Sequence, residues 1–191
     1  MSNRDSTGFI VWLTGLPGAG KTTLGRALAT ELSKHVRVEV LDGDELRKTI
    51  SSDLGFSRQD RDVQVARLGY IARLLARNDI AVIVAAVSPY EVARRRERLR
   101  SQEAGIPFVE VYLDAELPLL IERDTKGHYR RALDGHLPHF TGVTDPYEPP
   151  SRPDLSVHTT REPLAGGLQR ILNALTEQGL GACQRIAGEL R

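Results

Sequence analysis

The chain has 191 residues, 40% of them hydrophobic, and a formal net charge of +1 at pH 7. That length and apolar content suit one compact domain that needs no covalent staples. The balanced charge gives no reason to expect a polyanion such as duplex DNA as the main partner, and the single cysteine, Cys183, excludes an intrachain disulfide and a cysteine-rich metal site.

The N-terminal "MSNRDSTGF" carries no apolar signal core, and the longest apolar run, "IAVIVAAV" at 80–87, is too short to span a bilayer. A soluble, cytoplasmic protein without a membrane partner is expected. The first apolar run, "FIVWLT" at 9–14, has the β-branched content of a buried strand, and helical spacing follows over 21–34. A second strand, "VRVEVL" at 36–41, leads into the short helical segment "ELRKTI". Helical periodicity resumes over 58–78, then come a strand at 80–87 and a helix over 90–104 that Gly105 and Pro107 end. "FVEVYL" at 108–113 and "LSVHT" at 155–159 are the fourth and fifth strands, and a last helix covers 164–178. Strand and helix alternate, which predicts a three-layer α/β domain with a five-stranded parallel sheet covered on both faces.

About forty residues break the alternation between the fourth and fifth strands. They are polar and rich in glycine and proline, and too little chain follows to build a second domain. A long loop of this kind in a compact domain is expected to be a functional lid, here about 124–150. The C-terminal segment, about 180–191, is uninformative.

"GLPGAGKT", Gly15 to Thr22, fits G-x-x-x-x-G-K-[ST] and stands directly after a strand and before a helix. Glycines there let backbone N–H groups turn toward phosphate oxygens, and the helix N-terminus adds partial positive charge. Gly15, Gly18, Ala19, Gly20, Lys21, Thr22 and Thr23 are therefore the candidate ATP ligands, with Lys21 toward the β- and γ-phosphates and Thr22 offering its hydroxyl to Mg²⁺. Right-handed crossover makes the first two strands parallel, so "LDGDELR" at 41–47 begins at the edge that carries the phosphate loop. Asp42 is the candidate acid there, either anchoring Mg²⁺ through water or accepting a hydroxyl proton, and is expected not to be a helix cap. Asp44 is either its partner or the N-cap of the next helix. Arg47, Phe56, Arg61 and Gln64 follow on the same side, a set suited to an anionic acceptor with a planar base.

Some features point elsewhere and are set aside. "ARRRERLR" at 93–100 is interleaved with Glu91, Glu97 and Glu103, so a salt-bridged solvated helix face, with Glu91 pairing Arg95, is preferred to a nucleic-acid patch. His136 and His139 lack companion ligands and are taken as lid surface. Trp12 and Tyr70 are expected in the core.

Read together, "GLPGAGKTT", "LDGDELR", "GFSRQDRD", "VSPYEVARRR", "FVEVYLD", "DTKGHYRRA" and "FTGVTDPYEPP" resemble the adenylylsulfate kinase family of P-loop kinases, over roughly residues 8 to 178. The resemblance implies MgATP-dependent phosphorylation of the ribose 3′-hydroxyl of adenosine 5′-phosphosulfate. It also implies that Arg47, Phe56, Arg61 and Gln64 hold the acceptor, that Val87, Ser88 and Pro89 line its pocket, and that Lys126, Tyr129 and Phe140 close over it. Arg123 corresponds to the arginine that packs on the ATP adenine. Glu45, Gln64, Ala66, Ala86 and His128 depart from the family's usual residues, which leaves open a second reading with another nucleotide or anionic nucleoside as acceptor. A nucleotide-binding module without turnover is a third reading, against which Lys21, Thr22, Asp42 and Lys126 argue. Self-association as a homodimer is left open.

Overall fold

The structure, a computed structural model, describes residues 8–180. Its elements in chain order are β1 (Phe9–Thr14), α1 (Lys21–Leu32), β2 (Val38–Asp42), α2 (Gly43–Leu46), α3 (Arg58–Ala76) and β3 (Ala81–Ala85). After them come α4 (Glu91–Glu103), β4 (Phe108–Asp114), α5 (Leu117–Arg123), α6 (His128–Leu133), β5 (Leu155–His158) and α7 (Leu164–Glu177).

The five strands are all parallel, in the order β2-β3-β1-β4-β5. β1 is central and fully buried, and its period-2 alternation feeds two cores. Phe9, Val11 and Leu13 pack with Leu24 and Leu28 of α1 and Ile171 and Leu175 of α7. Ile10 and Trp12 face Val65, Leu68 and Ala72 of α3 and Ala93 of α4. Trp12 stacks on Phe108 with ring centroids 5.7 Å apart. The chain leaves β1 for β2 on one side and later returns to β4 on the other, so the carboxyl end of β1 is the switch point where an open α/β sheet forms its binding crevice.

The predicted strands and long helices are present, with ends that coincide or shift by one or two residues. Two short helices were not foreseen: α5, which starts around Pro118, and α6 inside the lid segment. α2 is a single turn beginning at Gly43 rather than a helix over "ELRKTI". Tyr70 is a correction, since it is 60% exposed on α3 while Trp12 is in the core as expected. α4 is another. Arg94 and Glu97 of the charge run are each 1% exposed, and Glu91 accepts hydrogen bonds from the Ser151 backbone and hydroxyl. Buried Glu97 pairs with Arg73 of α3 at 2.5 Å and Arg100 at 2.9 Å, and Gly69 gives it room, because a Cβ there would lie 2.0 Å from its carboxylate. Cys183 and most of the C-terminal segment lie outside the described residues.

Candidate active site

The loop between β1 and α1 needs glycine for its path. Gly15, Gly18 and Gly20 have φ of 152°, 77° and 90°, and a Cβ on Gly15 would sit 2.6 Å from the Leu113 carbonyl oxygen. Lys21 Nζ donates to the carbonyls of Gly15 (2.9 Å) and Leu16 (2.8 Å), so the loop itself holds the lysine over its mouth. Burial pulls the Lys21 pKa down from 10.5 to about 8, against the opposing pull of Asp44 and Asp42. Ala19, which is buried, and Thr23 of α1 lie beside the same loop. With Gly18, Arg123, Thr159 and Pro163 they line a cleft of about 170 Å³ beside the start of α7. The 159–164 segment was missed in the sequence because its residues carry no motif, and only the pairing of β5 with β4 brings them to the loop.

Asp42 ends β2, two strands from β1, and spans the gap past the small residues that close β3. Its Oδ2 accepts from the Thr22 hydroxyl at 2.6 Å, and its Oδ1 accepts from the backbone N–H groups of Asp44 (2.9 Å) and Glu45 (3.3 Å). Asp42 is therefore the N-cap of α2 as well as the acid beside the phosphate loop, which corrects the expectation that Asp42 would not cap a helix and leaves Asp44 out of that role. Asp44 instead reaches outward to Lys126 of the lid, 3.3 Å away, with both side chains well exposed. Among the described residues no group of three or more His, Cys, Asp or Glu could hold a metal. The Thr22 hydroxyl and the Asp42 carboxylate are hard oxygen donors, and such a sparse set fits Mg²⁺, which keeps waters and phosphate oxygens as most of its ligands.

Opposite the loop, a basic and aromatic cluster forms at the start of α3. The Arg47 guanidinium lies 4.6 Å from the Phe56 ring centre and donates to Gly55 O at 2.7 Å. Arg61, 7% exposed, donates from Nε to Phe56 O at 2.9 Å, donates from Nη2 to His139 O, and faces Asp145 at 3.7 Å. Burial lowers the pKa of both arginines, and for Arg47 the nearby Arg61 charge adds to the shift. Phe56 is half exposed, and the Arg61 guanidinium also lies 5.7 Å from its ring centre. Gln64 donates to Gly43 O at 3.3 Å, while its buried Oε1 has no hydrogen-bond partner among the described residues.

The segment Val87, Ser88 and Pro89, which the family resemblance assigns to the acceptor pocket, is fastened from behind. Thr14 Oγ1 donates to Val87 O at 2.8 Å, Ser88 Oγ accepts from Trp12 Nε1 at 3.0 Å, and Pro89 O accepts from Glu148 N at 2.8 Å. Of the predicted lid contacts, Lys126 comes to Asp44 just past the end of β2. Tyr129 turns to the phosphate loop, donating its hydroxyl to Pro17 O at 2.8 Å, and Phe140 meets its ring edge-on at 5.0 Å. The two rings thus seat the lid on the loop, and Tyr129, only 3% exposed, is held there rather than over the Phe56 cluster.

Parallel strands with a glycine-rich loop after the first, an acid at the end of the second and a lid before the last define a P-loop phosphotransferase. Residues 7–158 match the adenylylsulphate kinase family, and the chain belongs to it. It is 54% identical over 175 residues to the adenylyl-sulfate kinase of Myxococcus xanthus, covering 92% of this chain and 95% of that one. Among solved structures it is similar to the Mycobacterium tuberculosis APS kinase in complex with AMPPNP and APS, with a TM-score of 0.85, 38% identity and coverage of 88% and 98%. A hexameric APS kinase from Thiobacillus denitrificans is 36% identical with a TM-score of 0.69, over 91% of this chain and 29% of that one. The chain is thus an ATP-dependent kinase.

Proposed function

We propose that this kinase transfers the γ-phosphoryl group of MgATP to the 3′-hydroxyl of adenosine 5′-phosphosulfate. The observation that carries the reading is the position of Asp42, bonded to Thr22 of the phosphate loop and to the first turn of α2, with Arg47, Phe56 and Arg61 beyond that turn. The phosphate loop from Gly15 to Thr23 holds the triphosphate through backbone N–H groups, and Lys21 neutralises charge that builds on the transferring group. Arg123 and the 159–164 segment take the adenine of ATP in the cleft they share. Thr22 and Asp42 would hold Mg²⁺, which supplies charge neutralisation between the phosphates when bound.

On the acceptor side, Arg47 and Arg61 bind the phosphosulfate, Phe56 stacks on the adenine, Gln64 offers its unpaired Oε1 to a donor, and the Val87–Pro89 wall closes the pocket. Asp42 takes the proton of the ribose hydroxyl as the oxygen–phosphorus bond forms and the γ-phosphoryl bond to ADP breaks. Asp44 and Lys126 bring the lid, residues 124–150, down onto this edge, excluding water that would otherwise receive the phosphoryl group. No helix among the described residues is long and apolar enough to cross a membrane, and a cytoplasmic location is our reading of that together with the single cysteine. An oligomer, a homodimer being one form left open, is supported by the exposed Tyr70, Leu74, Val92 and Leu99 on α3 and α4.

The test is an incubation with ATP, Mg²⁺ and adenosine 5′-phosphosulfate, following ADP and the 3′-phosphorylated product. Product at a kcat/KM well above that for other adenine nucleotides supports the proposal. Turnover of another nucleotide without turnover of the phosphosulfate replaces the acceptor. Light scattering on the same preparation reads the oligomer.

A further inference from the structure

Arg94 of α4 is among the largest fully buried side chains, 1% exposed, and none of the steps above uses it. A buried guanidinium is costly unless its N–H groups are matched, and these are matched to three different parts of the molecule. Nε donates to Glu110 of β4 at 2.9 Å, Nη1 to Ser88 O in the pocket wall at 2.6 Å, and Nη2 to Glu148 O at the C-terminal root of the lid at 2.7 Å. Glu110 is itself fixed by Arg98, which also binds Asp154 at 2.6 Å.

The two segments that share Arg94 are joined elsewhere too. Glu148 N donates to Pro89 O, and the Glu148 carboxylate accepts from Glu91 N at 2.8 Å, covering the start of α4, which has no side-chain cap of its own. Tyr147 packs against Arg94 at 5.7 Å and exchanges a hydrogen bond of 3.0 Å with Thr14, the last residue of β1 before the phosphate loop. Ser88 has φ of 38°, a left-handed conformation that a non-glycine residue keeps only when its surroundings hold it. The carbonyl that Arg94 grips belongs to that strained residue. A cation needed only for packing would not require one fork on the two carbonyls where the wall and the lid root meet.

We infer that Arg94 is a positioning residue for the phosphoryl transfer, its guanidinium fork fixing the acceptor wall at Val87–Pro89 relative to the lid root at Tyr147–Glu148. The lid then closes on an acceptor whose hydroxyl is already in register with the γ-phosphate, and Tyr147 carries the same alignment to the end of β1. This rests on the reading that Val87–Pro89 lines the acceptor pocket.

Three variants test it: Arg94→Lys, which keeps the charge and loses the fork; Tyr147→Phe, which removes only the hydroxyl; and Arg61→Ala, which tests the acceptor pocket itself. Each is assayed for KM of both substrates, kcat, and the ratio of ADP released to acceptor phosphorylated. Arg94→Lys and Tyr147→Phe are each expected to raise the acceptor KM by about tenfold, to leave the ATP KM within about twofold, and to push the ADP ratio above one as water replaces a misplaced acceptor. A purely structural role would lower the melting temperature and leave that ratio at one. Parental acceptor KM and ratio in a folded Arg94→Lys, or equal losses for both substrates, overturns the inference. If Arg94→Lys does not fold, Tyr147→Phe decides by the same criteria. If Arg61→Ala leaves the acceptor KM unchanged, the acceptor pocket has been misplaced; if Arg61→Ala weakens the acceptor while the other two variants do not, only the role of Arg94 falls.

Discussion

The Thr22 hydroxyl donates to Asp42 Oδ2 across 2.6 Å, joining the first turn of α1 to the end of β2 although β3 lies between their strands. One carboxylate therefore serves two structures, because Oδ1 of the same residue caps α2. A residue with both duties raises the question of which one a substitution would expose.

Asp42→Asn separates them. Asparagine caps a helix as well as aspartate, and its carbonyl oxygen can keep the bonds from Asp44 N and Glu45 N while its amide faces the Thr22 hydroxyl, which can accept. The melting temperature should stay close to that of the parent. An amide cannot take the acceptor's proton, so kcat should fall by about a hundredfold or more. Thermal melts and steady-state rates on one preparation check both halves. Normal turnover in Asp42→Asn with loss in Asp44→Asn would reverse the roles of the two acids.

Lys21 gives a pH dependence whose sign can be worked out. Its pKa in the folded protein, about 8, lies below its unfolded value of 10.5, so the unfolded chain binds more protons between those limits. Burial of the charged lysine is a cost present below pH 8 and relieved as pH rises toward 10.5, so its contribution to stability improves across that window. ATP binding should move the opposite way, because the triphosphate needs the ammonium form. We expect kcat/KM for ATP to fall above about pH 8, while the corresponding limb of kcat lies at higher pH because bound phosphate raises the pKa of Lys21 again. Comparing the melting profile with that of Lys21→Met isolates the stability part. An ATP profile flat to pH 10 would remove Lys21 from triphosphate binding.

Much of this arrangement was legible in the sequence, for identifiable reasons. The strands showed because parallel strands buried on both faces are short runs of Val, Ile and Leu, and the phosphate loop showed because its glycines sit between such a run and a helix. Arg47, Phe56 and Arg61 carried a chemical suggestion, but their roles came from family resemblance rather than spacing. The failures share a cause. Arg94 and Glu97 looked solvated because a charge run gives no sign of partners such as Glu110 or Arg73, which lie on other elements. The seat of Tyr129 on the phosphate loop gave no signal because its partner, Pro17 O, is 112 residues away. The capping duty of Asp42 was missed because α2 begins at Gly43, two residues before the segment "ELRKTI".

Gly69→Ala should damage stability and spare chemistry. A Cβ at this position would lie 2.0 Å from Glu97 Oε2, 2.6 Å from its Cδ and 2.9 Å from its Cγ, so the whole side chain must shift. Glu97 is 1% exposed and paired with Arg73 and Arg100, and the displacement breaks a buried ion pair between α3 and α4. A loss of about 3 kcal/mol is expected. Because α3 also carries Arg61, kcat is measured well below the new melting temperature, where it should remain within about twofold of the parent. A melt unchanged from the parent would mean that the two helices can part without cost.

Lys126→Ala should do the reverse. The Lys126–Asp44 pair joins the lid to the catalytic edge at 3.3 Å, but its side chains are 67% and 75% exposed, so solvent screens it and its share of global stability is small. On the proposed mechanism its value lies in the transition state, where the lid must exclude water and a cation near Asp44 offsets the charge of the transferring group. The variant should therefore melt with the parent, lose about tenfold or more in kcat, and release more ADP per acceptor phosphorylated. Lys126→Arg, which keeps the charge, should recover part of the rate. Raising ionic strength should weaken the parent's lid contact more than it affects the alanine variant, since only the parent has a screened pair to lose. If Lys126→Ala instead lowers the melting temperature by several degrees and leaves kcat intact, the pair is a structural tie and the lid closes without it.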